Sequence, residues 1–551
     1  MGVTHGQGPH RRVPVLIVGG GPCGLALAGE LGWQGIECIL IEQGDGVVRT
    51  PKLTEVNIRT MELCRRWGID REVRDCPFPG DYPLDVVFLQ DLARDEIARI
   101  ARPARDIAAS DPDSPMRFQA CSQMWFDPIL QAFARRQPGV SLRYHKRLEA
   151  LRQRADGVEA DVIDSVTGQR ELIEADYLAA CDGAGSSIRR ALGIGLDGGV
   201  LGHTVHMHFR APGLLDAFGK RPATFFHLID RGGLWATLRV IDPASALWRV
   251  MVLHVDDEAA ARTLDRDETL RRVFGRRFEI EWLDGYVWTR RSMVAQRYRA
   301  DRVFLVGDSA HQFSPTGALG MNTGIADAVD LGWKLAATLE GWGGHGLLAS
   351  YEVERRPVAE RNAHMTAEFY LEYKKFDTDI DAIERSPASE RPGGWQRLAQ
   401  RLVRDVGRNF RTKGLQIGYR YQRSPICVDD EIPAPPDAPD GYRPTTSPGA
   451  RAPHAWLPDG RSTLDLFARG FVLLCLGEGG VDTSRLEAAA AERGVPLTRV
   501  RVSVPEVFRA YGRRLVLVRP DGHVAWRGDA VPADAARIVD RLRGATLCSP
   551  R

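Results

Sequence analysis

Long apolar runs are missing from this chain: none reaches the about 18 residues that would let a helix cross a membrane. An excess of either charge is missing too. Lysine and arginine number 74 against 72 aspartates and glutamates, a net charge of +2. The basic residues are scattered, so nothing calls for nucleic acid or an anionic membrane surface. Cysteine is sparse. Nine thiols, at positions 23, 38, 64, 76, 121, 181, 427, 475 and 548, are odd in number and dispersed, and no C-x-x-C pair occurs. That pattern excludes a disulfide framework and a paired-cysteine zinc site, and it predicts a reducing cytoplasm. Residues 1–12 are polar and glycine-rich with no apolar signal core, and are expected to be a flexible N-terminus. At 551 residues the chain can hold two or three domains with full cores.

What is present is glycine placed where backbone must bend. An apolar run at 13–18 leads into Gly19-Gly20-Gly21-Pro22-Cys23-Gly24, which satisfies G-x-G-x-x-G at Gly19, Gly21 and Gly24. Residues 25–31 read as helix and 38–41 as a second strand that ends in Glu42 and Gln43. Glu42 falls 18 residues beyond Gly24, near the roughly 20 expected for an acid on a ribose hydroxyl in a βαβ dinucleotide unit. The glycines admit a pyrophosphate, and the helix N-terminus stabilises its charge. A later apolar strand, 303–306, runs into Gly307-Asp308-Ser309-Ala310-His311-Gln312-Phe313-Ser314-Pro315, and a helical pattern leaves from Gly320-Met321-Asn322. Asp308 can accept a hydroxyl proton. The helix start at Gly320 turns unpaired N–H groups and the positive end of its dipole toward whatever binds there, which suits a ring that becomes anionic on reduction. Between these motifs lies Ala180-Cys181-Asp182-Gly183-Ala184-Gly185-Ser186-Ser187-Ile188-Arg189-Arg190, which alone is an ordinary Asp-Gly turn before a helix.

The three motifs in this order resemble the class A, single-component FAD-dependent aromatic hydroxylases with the p-hydroxybenzoate hydroxylase-like fold. The likeness spans about 13–425 and is nearest to the larger members acting on phenols, hydroxyphenylpropionates and aromatic polyketides. It implies FAD-binding roles for Gly19, Gly21, Pro22, Cys23, Gly24, Glu42, Gln43, Asp182, Arg189, Asp308 and the flavin-lining Gly320-Met321-Asn322. Gln123 matches a glutamine that contacts the flavin chain. Lys52 stands where an arginine is usual near the FAD phosphates, a point charge in place of a planar fork. Ala184-Gly185, Ser309, Ser314, Ala318-Leu319 and Ala326 also depart from the usual pattern, each small or apolar enough to fit.

The fold class expected is α/β: a Rossmann-like FAD-binding domain, an inserted antiparallel substrate sheet and a C-terminal thioredoxin-like domain. The FAD domain is read as 13–80 with 118–200 and 291–345, and the substrate sheet as 81–117 with 201–290. Within it, alternating runs at 203–210, 224–229, 234–240 and 248–254 predict four strands. Residues 346–430 read as helical. Residues 431–452, rich in Pro and Asp, read as a linker. The order of elements in 453–551 resembles a thioredoxin-like domain; without C-x-x-C it is expected to be structural or interface-forming.

The resemblance implies NADPH or NADH as co-substrate, O2 capture as a flavin C4a-hydroperoxide, and oxygen transfer to an activated small aromatic molecule. Pro315 and Gly320 are then expected beside the reacting ring. A phenol reacts more readily as phenolate, so His206, His208 and Arg210 on the proposed substrate sheet are catalytic candidates. His206 and His208 share a strand face. Ordinary sheet histidines remain the simpler reading of that pair, and a metal site lacks a third ligand. His311 reads as a loop-packing residue. Same-fold alternatives are Baeyer–Villiger oxygen insertion or removal of a nitro or halide substituent; a catalytically silent FAD-binding protein is more remote. A halogenase is disfavoured because its W-x-W-x-I-P motif is absent. Monomer and homodimer are both compatible with the sequence.

Overall fold

The protein is described by a computed structural model that covers residues 10–107, 110–255, 257–376, 378–430 and 432–546. Residues 1–9 and Cys548 lie outside the described residues; residues 10–12, expected to belong to a flexible terminus, are instead part of the first strand, His10–Val18. That strand pairs in parallel with Cys38–Ile41 on one side and with Arg170–Ala180 on the other. The helix Pro22–Gln34 makes the crossover between the first two strands, and ten of its thirteen residues are buried. Such burial explains why its sequence is apolar nearly all round rather than striped. Val303–Leu305 joins the same sheet in parallel beside Arg170–Ala180. Its C-terminal end therefore lies at the same sheet edge as the glycine loop, where open α/β sheets bind ligands. An antiparallel hairpin, Lys146–Gln153 with Val158–Asp164, extends this sheet and was not foreseen.

The second sheet has eight strands and is longer than its sequence signal. The four expected strands appear as Leu196–Arg210, Phe225–Asp230, Gly233–Asp242 and Leu247–Val255. A fifth, Glu281–Ala295, pairs antiparallel along the whole of Leu196–Arg210, crossing residue 290 with a register shift between Arg290 and Arg291. Across this sheet Phe225, Arg239, Arg249, His208 and Asp284 stand opposite one another in a row. His227, Thr237, Met251, His206 and Tyr286 form the next row on the same face.

The third sheet has four strands in the order Leu497–Val502, Phe471–Leu476, Leu515–Val518, Val524–Gly528, parallel in its first pair and antiparallel in the others. It forms the core of the C-terminal domain expected to be thioredoxin-like. The segment expected to be a linker is packed rather than free. Thr446, Ser447 and Arg451 are buried, and Gly449 and Ala450 exchange backbone hydrogen bonds with Val524. Arg451 also reaches Glu62 of the FAD domain and the Asp113 carbonyl of the 81–117 stretch. A buried ion cluster completes the junction: Arg519 donates to Asp330, Glu354 and Asp521, and Lys334 to Asp330 and Glu354.

Candidate active site

Two helix starts and one strand end converge on a cavity of about 480 Å³. Gly21 caps the helix Pro22–Gln34 with no side-chain hydrogen bond. Leu319 caps the helix Gly320–Leu339 in the same bare way. Both helix starts line this cavity, through Gly21, Pro22 and Cys23 and through Gly320 and Met321. Their unsatisfied N–H groups and dipoles therefore favour anionic or electron-rich groups there. Glycine is required by contact at Gly19, whose φ is +112° and where an added Cβ would sit 2.2 Å from the Cys181 carbonyl oxygen. Gly24 is equally constrained, its virtual Cβ lying 2.0 Å from the Gly19 oxygen. At Gly21 nothing lies within 4 Å, so that backbone is open to a close ligand.

The remaining predicted residues divide by position. Glu42 accepts hydrogen bonds from the Gly20 and Gly44 N–H groups, each at 2.7 Å, and so fixes the loop end. Gln43 beside it is exposed. Gln123 lines the cavity and accepts from the Lys52 and Leu53 N–H groups through Oε1. Asp308 lines the cavity as well; burial raises its carboxyl above the ordinary range, opposed by His311 and Lys52. Asp182 is not part of the cavity lining, although Cys181 and Gly183 on either side of it are, and its Oδ1 is buried without a hydrogen-bond partner among the described residues. It accepts from the Ile188 N–H at 3.2 Å, stabilising the start of the short helix Ser187–Ala191. Arg189 donates to the Ser309 and Ala184 carbonyls and ties that turn to the Asp308 loop. Asn322 is buried and occupied: its Oδ1 accepts from the Asn57 N–H and the Thr60 hydroxyl, and its Nδ2 donates to the Ala318 carbonyl. His311 is buried between Phe313 and Asp327, with Nε2 2.7 Å from the Asp327 carboxylate.

A second cavity, about 390 Å³, lies between the eight-stranded sheet and the loop after Asp308. Lys52, Leu53, Pro315 and Ala318 line both spaces, so the two share a wall. Ala318 holds the left-handed conformation, φ +54°, which costs an L-residue about 1–2 kcal/mol. Local strain of this kind collects at working sites.

The sheet histidines expected to act fall beside this second cavity rather than in its wall. His206 and His208 are buried on the cavity-facing side. Burial and Arg249 lower the pKa of both, His208 to about 4 despite an Asp284 carboxylate at 2.8 Å. Arg210 is 43% exposed and ion-paired with Glu281 at the sheet end, away from both cavities. The histidine that does line the space is His227. Its Nδ1 lies 2.9 Å from the Thr237 hydroxyl, and burial with Arg239 nearby lowers its pKa to about 3.

Sequence reasoning missed the cavity's polar lining: Glu55, Arg102, Arg239, Arg249 and Arg290. One signal was available. Arg239 and Arg249 each interrupt an otherwise apolar strand, in Leu-Trp-Ala-Thr-Leu-Arg-Val and Leu-Trp-Arg-Val-Met-Val. A charge at a buried strand position has to meet a partner or a ligand. Among the described residues no cluster of His, Cys, Asp and Glu is arranged for a metal, and no helix is long and apolar enough to cross a membrane.

Comparison with known proteins agrees with this geometry. Residues 12–366 match the model of the FAD binding domain family, and residues 445–546 that of the aromatic-ring hydroxylase C-terminal domain. The chain is 34% identical to the FAD-dependent monooxygenase apdD of Emericella nidulans over 96% of its own length and 90% of the relative's. It is similar to the structure of RebC soaked with chromopyrrolic acid and holding 7-carboxy-K252c, at a TM-score of 0.89 and 40% identity, covering 98% and 100% of the two chains. The aklavinone-11 hydroxylase complex with FAD and aklavinone matches at a TM-score of 0.79 and 30% identity, covering 97% and 99%. The chain belongs to the FAD-dependent aromatic-ring hydroxylases. It is a flavoprotein monooxygenase that works with NAD(P)H and O2.

Proposed function

We propose that this monooxygenase hydroxylates a phenolic or larger aromatic molecule held in the cavity under the eight-stranded sheet. The observation that carries the reading is the shared wall of Lys52, Leu53, Pro315 and Ala318. It supports a substrate-sized space lying against the proposed flavin site. The solved relatives bind aklavinone and 7-carboxy-K252c, which supports an aromatic small molecule. Bound FAD, reduced by NAD(P)H, supplies the activated oxygen.

The chain's own residues position, neutralise and exclude water. In this proposal Gly19, Gly21 and Gly24 let backbone approach the pyrophosphate, and the N-terminus at Pro22 stabilises its charge. Asp308 would accept a hydrogen bond from a hydroxyl of the flavin's sugar-alcohol chain, since it lines the cavity and no other hydrogen bond to its carboxylate is found among the described residues. The N–H groups at Gly320 and Met321 stabilise negative charge on the ring edge. Pro315 and Ala318, which line both cavities, would stand between the ring and the substrate. His227 then orients the substrate hydroxyl. Its Nδ1 is engaged by Thr237, and its Nε2 has no hydrogen-bond partner among the described residues. With a pKa of about 3 it is too weak a base to hold the proton, so it acts as a neutral hydrogen-bonding group.

The test is NAD(P)H consumption by the yellow holoenzyme over a panel of phenols, hydroxyarylpropionates and polyketide quinones, with product masses recorded. The proposal expects stimulated consumption and a gain of one oxygen. A product that instead loses nitro or halide would favour substituent removal. Oxidation without any product would refute substrate hydroxylation for that panel.

A further inference from the structure

Two cysteines far apart in the chain meet outside both cavities. Cys76 follows the short helix Asp70–Arg74, and Cys121 stands just before the helix Gln123–Arg135. The Cys76 Sγ donates to the Ala120 carbonyl at 3.5 Å, and the two thiols hydrogen-bond to each other. Cys76 keeps 7% of its surface exposed and Cys121 only 1%. The outer thiol is reachable by a water-sized molecule, and the inner one is shielded.

Their surroundings divide the pair into an attacking and a resolving thiol. The bond from Cys121, the Phe78 N–H and the Arg105 guanidinium favour the Cys76 thiolate and lower its thiol below the ordinary range, against burial and Asp75. Cys121 is pushed the other way by its bond to Cys76 and by burial. Burial raises each of the other six described cysteines. It is the thiolate that attacks peroxide, and reactive cysteines sit beside a cation with some exposure. A sulfur so oxidised needs a second thiol in contact to close a disulfide, and Cys121 is that thiol.

Backbone joins the pair to the flavin cavity. Gln119 and Val56 exchange N–H···O bonds in both directions, and the Gln123 N–H donates to the Leu53 carbonyl. Gln123 Oε1 in turn accepts from the Lys52 and Leu53 N–H groups. Lys52, Leu53 and Gln123 all line the flavin cavity. A sulfur–sulfur bond of about 2 Å is much shorter than a hydrogen-bonded contact, so closing it pulls on the segment that carries Gln123.

We propose that Cys76 and Cys121 are a site of reversible oxidation by hydrogen peroxide, and that the disulfide they form is felt at the flavin. Reduced flavin and O2 yield peroxide whenever oxygen is not passed to a substrate, so the enzyme's own chemistry supplies the oxidant. The Cys76 sulfur attacks one peroxide oxygen, the O–O bond breaks, and hydroxide leaves to become water on taking a proton. The Cys121 sulfur then gives up its proton and attacks the Cys76 sulfur, and the S–O bond breaks to release a second water. The two thiols lose two electrons in all, and one peroxide gains them. A dithiol reagent reverses the bond by exchange. The site does not depend on the substrate assigned above, because the test adds peroxide from outside.

The FAD-loaded enzyme is reduced with dithiothreitol, freed of it, treated with a slight excess of hydrogen peroxide, quenched with catalase and capped with iodoacetamide. Peptide masses should show Cys76 linked to Cys121, two hydrogens lighter than the two reduced peptides. These two thiols should be lost at least about tenfold faster than the other described cysteines. The visible spectrum of the bound flavin should shift as the link forms and return with dithiothreitol. Cys121→Ser should halt Cys76 at the sulfenic acid, trapped by dimedone, and Cys76→Ser should leave Cys121 open to capping after peroxide. The map of the unaltered enzyme decides the matter even where a variant fails to fold. A map without the Cys76–Cys121 link, or with other cysteines oxidised as fast, would overturn the site. Linked protein with an unchanged flavin spectrum would overturn its connection to the flavin.

Discussion

Replacing Arg519 by Met probes how the thioredoxin-like domain supports the flavin site. Arg519 is fully buried and donates to Asp330 at 2.9 Å, to Glu354 at 2.6 and 2.9 Å and to Asp521 at 2.7 Å. Methionine fills much of the volume but leaves three carboxylates facing the single ammonium of Lys334. Removing one partner from a buried ionic network costs about 3–5 kcal/mol, because the charges left behind stay desolvated. At about 2–4 °C per kcal/mol for a cooperative unit of some 200 residues, the melting midpoint should fall by on the order of 10 °C. Asp330 and Lys334 lie on the helix Gly320–Leu339, whose first residues line the flavin cavity. Flavin release should therefore move together with loss of helical signal. The loss also depends on pH. Burial would raise the Glu354 carboxyl, but Arg519 and Lys334 outweigh it and hold it at about 2. A depressed carboxyl stabilises the fold above its ordinary range near 4.5 and ceases to do so as pH falls toward 2, so the gap between parent and variant should narrow over that window. The assay is thermal unfolding followed by flavin fluorescence and by circular dichroism, at neutral and acidic pH. A flavin-release midpoint within about 1 °C of the parent, well inside the shift expected from, would refute the coupling.

Other consequences follow from single positions. Gly19→Ala would force a Cβ to 2.2 Å from the Cys181 oxygen at φ +112°. The purified variant should be colourless, and a parent-like ratio of flavin to protein absorbance would contradict the role given to this turn. Asp127 is buried, and burial lifts its carboxyl to about 7 against a weaker opposing pull from Lys52. A raised carboxyl stabilises the fold below its unfolded value near 3.9 and stops doing so as pH rises through about 7. Asp127→Asn should therefore stabilise the protein at pH 8, by on the order of 1–3 kcal/mol, and change little near pH 5; equal effects at both pH values would refute it. Ala318→Gly should be neutral or stabilising by up to about 1 kcal/mol, whereas loss of stability would show that the left-handed strain is not real. His227→Phe should lower turnover of phenolic substrates at least tenfold while FAD stays bound, and unchanged turnover would remove His227 from the site.

The legible parts of this chain were those where backbone chemistry dictates the residue. Gly19 and Gly24 are glycines because any side chain would strike main-chain oxygen, and the parallel strands around them are buried on both faces and so read as apolar runs. The loop from Asp308 to Met321 was legible for the same reason, as a strand end followed by a bare helix start. Long-range partnership was not. The strand Glu281–Ala295 alternates poorly because one end is exposed while the other is buried, so its pairing with Leu196–Arg210 leaves little trace in sequence. Arg239, Arg249 and Arg290 stand on three strands that only the folded sheet brings together. Arg519 and Asp330 are 189 residues apart, and no local pattern links them. His206 and His208 were placed on the correct sheet, but alternation alone does not tell which stretch of a strand faces the cavity and which faces a neighbouring ring.

The central claim is that this chain transfers one oxygen atom from O2 to an aromatic molecule held beside its flavin. The direct measurement is the product mass from the FAD-loaded enzyme turning over an aromatic substrate with NAD(P)H under isotopically heavy O2. The account predicts one heavy oxygen per product molecule and consumption of one NAD(P)H. Product oxygen drawn from water, or NAD(P)H oxidised with all the heavy oxygen recovered as peroxide, would contradict it.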